Sequence, residues 1–347
     1  MTSAVLAVAV LLAQSGQPPR PEPQGQPAVA STPAPKTAPG TNDPGRDNAL
    51  AMQVMLDRAG FSPGTIDGRI GANTKKAMEQ YQRQNPGAGA PAGEPVTTYT
   101  ITEADVAGPF VASIPADLVQ QASLPALSYT SAREALAERY HSTPALLQQL
   151  NPTAQFVAGE QIQVPNVEPL VAPVEKPESL TAAPKEPQPA GTSGRRGPAA
   201  PKPPNPIMAR PDVVVTVSKT QSALTVQDPS GRTIFYAPVT TGSEHDPLPI
   251  GEWKVNGIQL NPSFNYNPEL FWDADPTHAK AKLPPGPNNP VGLVWIALSK
   301  EHYGIHGTAE PTAIGRTQSH GCVRLTNWDA LKLAGLVKPG TRVVFSE

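Results

Sequence analysis

The chain has 347 residues, a net charge of −2 and a sequence pI of about 6.3, which leaves room for two or three modest domains and offers no basic surface for nucleic acid. Its one cysteine excludes an intramolecular disulfide and a Cys-rich zinc site. Forty-four prolines fall mostly between segments, so the composition predicts modules strung on linkers rather than one large core.

The first stretch, residues 1–16, carries a ten-residue apolar run from Ala4 to Ala13, followed by the small residues Ser15 and Gly16. That run is too short to span a bilayer and matches a signal-peptide core, although no Lys or Arg precedes Arg20. The expected destination is outside the cytoplasm, with no transmembrane helix in the mature form. Residues 17–43, rich in Pro, Gln and Thr, read as a spacer.

Residues 44–86 come next. Leu50, Ala51, Val54 and Met55 share a helical face that Gly60 closes. "SPG" and "DG" predict turns, and Asn73 or Thr74 is expected to cap a second helix that buries Ala77, Met78 and Tyr81. The pattern "GFSPGTIDGRIGANTKKAMEQYQ" resembles the small all-α peptidoglycan-binding domain, which implies contact with wall glycan or a role as a spacer.

Over residues 97–167, Ser131 and Glu134 predict a capping box for a helix burying Leu136 and Tyr140. Thr143-Pro144 opens another helix that ends at Asn151-Pro152, and "GEQIQVP" reads as a closing strand. Helix, helix, "LNP" and strand resemble a small α+β LysM-like module, without that family's usual Gly-Asp before the first helix. Residues 168–209 form a second proline-rich linker.

From 210 to 347 the pattern becomes mainly β. "DVVVTVSK" is a strand, and "LTVQDPSGRTIFYAPVTTG" reads as a hairpin around Asp228-Pro229-Ser230-Gly231. "GEWKVNGIQL" and "GLVWIALS" follow as strands. "NWDALKLAGLV" is a helix that Asn327 is expected to cap, and "KPGTRVVFSE" ends in a strand.

The chemistry collects in "IHGTAEPTAIGRTQSHGCVRLTNWDA", Ile305–Ala330, which holds the lone thiol and two of the six histidines. A thiol attacks as thiolate, which needs a lowered pKa or a neighbouring base. His306 lies sixteen positions before Cys322, a spacing that lets adjacent elements bring imidazole and sulfur together across a loop. His320, two residues before Cys322, shares its face if the segment is extended. Gly321 allows close approach, and N–H groups around Gly321 and Cys322 suit an oxyanion hole. Read on residue types alone, the cysteine is as compatible with a small buried hydrophobe as with a nucleophile. His306, His320 and Cys322 could supply three metal ligands, but no carboxylate stands beside them in sequence, so neither metal nor cofactor is expected.

"YGIHGT…IGRTQSHGCVRLTNWDA", with "TTG", "LPIGEWKV" and "LPPGPNNPVGLVWI", strongly resembles the YkuD L,D-transpeptidase catalytic domain over about Asp212–Phe345. The resemblance implies a mainly β catalytic domain of the β-sandwich type. It assigns Cys322 as nucleophile, His306 as base, and Gly307 as the carbonyl orienting the imidazole. Ser319 and His320 would support the cysteine loop beside Gly321, with Arg324 and Tyr303 meeting substrate. The implied partners are peptidoglycan stem peptides and glycan, with carbapenem-type β-lactams as covalent inhibitors, in the periplasm or cell envelope. The implied reaction is attack on the third-residue carbonyl of a tetrapeptide stem, release of D-Ala, and transfer to an amine in a 3→3 cross-link. Transfer to a protein lysine or to water, and a non-catalytic wall-binding scaffold, are the competing expectations. "SEHDPLPIGEW" departs from the commoner "TPTPLG" form, so the resemblance assigns no contacts there. His245, His278, His302 and His141 read as surface or packing residues, the first two in loops that could border the cleft.

Overall fold

The computed structural model describes residues 44–87, 93–171 and 212–347; the expected signal segment, the 17–43 spacer and most of the 168–209 linker lie outside the described residues. The first group of elements is α1 (Pro44–Arg58) and α2 (Ala72–Gln84). Leu50 and Val54 are buried on the face that the helical period selects. Gly60 ends the turn after α1 at φ +83°, a conformation that suits glycine. Neither Asn73 nor Thr74 caps α2, which starts after Gly71 with no side-chain cap. Both side chains have other partners: the Asn73 amide donates to the Ile314 carbonyl at 2.9 Å, and Thr74 accepts from Gln53 at 3.3 Å.

The second group is β1 (Val96–Thr100), α3 (Glu103–Val106), α4 (Leu118–Gln121), α5 (Ala132–Arg139), α6 (Pro144–Leu150) and β2 (Gln161–Pro165). β1 and β2 pair antiparallel, Thr98 opposite Gln163. Ser131 accepts the Glu134 N–H at 3.2 Å, while the Glu134 carboxylate closes back on the Thr130 N–H, one residue earlier than the expected box. Thr143 caps α6 by accepting the Leu146 N–H at 3.0 Å.

The third group is β3 (Val214–Ser218), β4 (Ala223–Gln227), β5 (Thr233–Pro238), β6 (Gly251–Leu260), β7 (Phe264–Tyr266), β8 (Ala281–Leu283), β9 (Val294–Leu298), β10 (Gly304–His306), β11 (Val323–Arg324), α7 (Asn327–Leu336) and β12 (Arg342–Ser346). Eight of these strands form the order β11-β10-β9-β6-β12-β3-β4-β5, and β7 and β8 make a separate hairpin. β6 serves both halves of the sheet: Lys254 pairs with Arg342 of β12, and Ile258 pairs with Ile296 of β9, with a bulge between Val255 and Gly257. A bulge bends its strand, and the two halves close on one core that joins Val215, Leu224 and Phe235 to Ile258, Ile296 and Ile305. α7 adds Ala330 and Leu333 to that core. Its cap is Thr326, which accepts the Asp329 N–H at 3.2 Å; the expected cap, Asn327, is the first helical residue and spends its side chain elsewhere.

The three groups are packed together, unlike the string of separate modules that the composition predicts. β5 is the last strand of the sheet, and an edge strand leaves N–H and C=O groups open. Residues after α1 occupy that edge: Ser62 N–H donates to the Tyr236 carbonyl at 2.8 Å, and Tyr236 N–H to the Gly60 carbonyl at 2.9 Å. Tyr236 is fully buried among Leu56, Phe61 and Ala77. The first group also shares a core with the second, where Leu50, Val54 and Ile66 meet Leu136, Leu146, Leu147 and Ile162.

Polar contacts converge on the start of α7. Ser62 donates its hydroxyl to Asp329 at 2.8 Å, and the Asn327 amide donates to Glu138 at 2.5 Å. His141 sits 2.9 Å from Asp57, with its ring stacked on Trp328 at 5.2 Å. Farther along, Leu127 packs with Tyr266 and Leu283, and Asp117 lies 3.5 Å from His278. The segment between β1 and α5 therefore backs the β7–β8 hairpin. Among the described residues, no helix is long and apolar enough to cross a membrane.

Candidate active site

β10 and β11 run parallel, with Ile305 opposite Val323 and His306 opposite Arg324. Side chains two residues apart on a strand share a face, so Cys322, at the entry to β11, stands on the face of His306, one diagonal step away. The sulfur lies 3.8 Å from the His302 carbonyl oxygen. The backbone N–H of Gly304 draws the thiol towards ionisation. Gly304 has no room for a side chain, since an added Cβ would come within 2.6 Å of the Trp295 ring.

His306 is buried, and its Nδ1 is 2.7 Å from the Gly307 carbonyl. A carbonyl only accepts, so Nδ1 carries the proton and Nε2 is left as acceptor. Trp295 stacks on the imidazole at 5.4 Å. Burial, and then the Arg324 guanidinium, push the His306 pKa down to about 3. Burial pushes the half-buried Cys322 thiol up, against smaller pulls from Gly304 and Arg324. The resting pair is therefore neutral thiol and neutral imidazole, so of the two routes to a thiolate the neighbouring base is the one this site offers.

The loop before Cys322 is tied down by backbone. Ser319 donates its hydroxyl to the Cys322 carbonyl at 2.6 Å and its N–H to the Thr241 carbonyl at 3.0 Å. Arg324 and Thr240 exchange backbone bonds at 2.9 and 3.1 Å. Gly321 adopts φ +96°, and an added Cβ would lie 2.9 Å from the Tyr303 ring. Glycine is required there twice over, by conformation and by the Tyr303 contact.

That turn also redirects His320. The extended backbone that would put it beside Cys322 is broken at Gly321, and its Nε2 instead meets the Asp273 carboxylate at 2.7 Å. Phe271 packs edge-on against its ring at 4.9 Å. Arg324 is half-buried, burial pushes its pKa down, and its Nε has no hydrogen-bond partner. His278 bonds the Tyr266 hydroxyl at 3.1 Å and faces Asp117 at 3.5 Å. Among the described residues, no group of three His, Cys, Asp or Glu side chains is placed to hold a metal ion.

Sequence reasoning missed Asp273, Trp295 and Thr240. Asp273 is 47 positions from His320, and no local pattern links them. Trp295 carried a fainter signal: in "VWIAL" burial alternates with period two, which sets Trp295 on the face opposite Ile296.

Residues 212–345 match the family model YkuD, described as L,D-transpeptidase catalytic domain. That stretch is similar to the YkuD domain. Residues 45–86 match a second model, described as "Putative peptidoglycan binding domain". A Bacillus licheniformis protein named "Putative L,D-transpeptidase YkuD" is 54% identical over 59 residues, 17% of this chain and 36% of that protein. The "Putative L,D-transpeptidase YqjB" of Bacillus subtilis is 28% identical over 149 residues, 41% of this chain and 75% of its own. A solved structure of L,D-transpeptidase 3 from Mycobacterium tuberculosis, with a faropenem-derived adduct, aligns at TM-score 0.33 and 21% identity over 40% of this chain and 61% of that one. The chain thus spans little more than a third of the Bacillus licheniformis relative. The YkuD domain holds every candidate catalytic residue, from Tyr303 to Arg324.

Proposed function

We propose that this protein is a peptidoglycan L,D-transpeptidase that works outside the cytoplasm, in the periplasm or cell envelope. The observation that carries the reading is His306 and Cys322 on one sheet face, with Nδ1 of His306 fixed on Gly307 and Nε2 left as acceptor. Nε2 takes the thiol proton as sulfur attacks the carbonyl of the third stem residue. Backbone N–H groups of Gly321 and Cys322 hold the oxyanion that forms. The carbon–nitrogen bond to D-Ala breaks, and its nitrogen leaves with the proton that His306 took. Burial disfavours a charged imidazole at this site, which favours handing that proton on. An amine of a second stem then attacks the thioester, loses a proton to His306, and releases the sulfur, which is reprotonated. The product is a 3→3 cross-link.

Tyr303 and Arg324 border the sulfur and are proposed to meet the stem. Residues 45–86 are proposed to hold wall glycan, and the pairing of β1 with β2 around α5 and α6, with α3 and α4 inserted after β1, supports a LysM-like reading of the second group. A carbapenem is proposed to acylate Cys322, its ring carbonyl standing in for that of the peptide. Incubation with a disaccharide-tetrapeptide, followed by intact-mass and product analysis, tests the whole reading. The expected result is an acyl-enzyme and a cross-linked dimer, both absent from Cys322→Ala. Only hydrolysed tripeptide, or turnover by Cys322→Ala, would overturn it.

A further inference from the structure

Trp272 is an oddity on the cleft side of the molecule. It is 59% exposed, yet it is not loose: the exposed His245 imidazole stacks on the indole at 4.3 Å and 24°. The indole also leans on His320 at 6.0 Å, and its chain neighbour Asp273 bonds that same histidine at 2.7 Å. Two loops thus hold a flat apolar ring in solvent beside the loop of the nucleophile. His245 belongs to "SEHDPLPIGEW", the stretch where the chain departs from the commoner family form.

We propose that Trp272, backed by His245, is a sugar platform that takes the pyranose ring to which the donor stem is attached. The proposal rests on the transpeptidase reading. Stem side chains on that reading are small or charged and give a broad indole little to cover. A pyranose ring offers an apolar C–H face that matches the negative face of an aromatic ring. Glu244 and Asp246 flank His245, and Asp273 follows Trp272, so acceptors for sugar hydroxyls stand in the same loops.

The test compares a disaccharide-tetrapeptide with the same tetrapeptide lacking sugar, using the full chain and its Trp272→Ala and Trp272→Phe forms. The ratio of the two kcat/KM values should favour the sugar-bearing donor and fall about tenfold in Trp272→Ala, chiefly through KM. Trp272→Phe should restore most of it. Equal losses on both donors would assign the indole to the stem, for instance to its ammonium group, and overturn the proposal, as would no loss at all. Calorimetric binding of both donors to Cys322→Ala and to Cys322→Ala/Trp272→Ala separates this from the chemistry. A sugar preference that disappears with Trp272 upholds the platform even where turnover fails. A preference that survives without Trp272, or no preference in Cys322→Ala, sinks it.

Discussion

Ser319 donates its hydroxyl to the backbone carbonyl of Cys322 at 2.6 Å, and Ser243 donates its N–H to the Ser319 carbonyl at 3.0 Å. One buried serine thereby fastens the Cys322 loop to the segment 240–243 that follows β5. Ser319→Ala removes the donor and leaves a carbonyl short of its partner, a cost of about 1–3 kcal/mol. The expected outcome is a melting temperature lower by several degrees and carbapenem acylation slower by about tenfold, because the sulfur is no longer held. Scanning calorimetry and time-resolved intact mass read the two effects. Unchanged acylation would mean the loop is fixed without Ser319.

His306 carries the second expectation. Its pKa falls from an ordinary 6.5 to about 3 through burial and Arg324. The unfolded chain therefore takes up a proton below about pH 6.5 that the folded chain refuses until about pH 3. The His306 contribution to stability is intact above that window and is lost progressively as pH falls through it. In activity, the base stays neutral well below pH 6, so acylation should show no acid limb near 6.5. Alkylation of Cys322 by iodoacetamide should rise only towards alkaline pH, because burial holds the thiol above its ordinary value. His306→Ala should slow acylation by about 10²–10⁴-fold. A near-neutral inflection in the alkylation profile would instead reveal an ionised resting pair.

What the sequence reveals follows from how local each signal is. Gly60, Thr143 and the Asp228–Gly231 turn act within a few residues, and each appears where turn and cap chemistry put it. The strand of His306 was legible because the short run YGIHGT fixes it, and the contact with Gly307 because Gly307 is the next residue. Caps failed where a distant partner competed: Asn73 was drawn to Ile314 and Asn327 to Glu138. The His320 placement failed because alternation presumes extended backbone, and Gly321 at φ +96° breaks it. The union of the three groups was hidden for the same reason. Proline-rich linkers report on chain stiffness between modules, whereas contacts such as Tyr236 with Phe61 depend on tertiary structure.

The carboxylates at the start of α7 give the junction a pH dependence. Burial raises Glu138 to about 7, against hydrogen bonds from Asn327 and Tyr129, with Glu134 adding to the rise. Burial likewise raises Asp329 to about 6, with Thr326, Ser62 and His141 opposing and Asp57 adding. Both groups hold protons in the folded chain that the unfolded chain gives up near pH 4. Their contribution is therefore best at low pH and is lost as pH rises, through about 6 for Asp329 and about 7 for Glu138. Glu138→Gln should raise the melting temperature at pH 8 by a few degrees and leave it nearly unchanged at pH 5. Equal effects at both pH values would mean that Glu138 is not protonated at the junction.

The same junction decides whether the YkuD domain can work alone. Cutting the chain to residues 212–347 uncovers Tyr236 and the open edge of β5, where residues 60–62 now pair. Tyr236 is fully buried in the whole chain, and exposing a side chain of that size costs roughly 2 kcal/mol. The cut also strips Ser62 from Asp329, Glu138 from Asn327, and Leu127 from the hairpin face formed by Tyr266 and Leu283. Asp329 keeps the Thr326 hydroxyl but loses Ser62, and an unpaired sheet edge favours association between fragments. The fragment should melt at least 10 degrees below the full chain or aggregate, and it should lose most of its carbapenem acylation. Its β7–β8 hairpin, which carries Asp273 to His320, should show the greatest gain in hydrogen exchange. Adding residues 44–171 back in trans should recover part of both properties. A monomeric fragment with the full chain's melting temperature and acylation rate would show that the contacts across α7 and β5 are dispensable, and that the modules serve only as tethers.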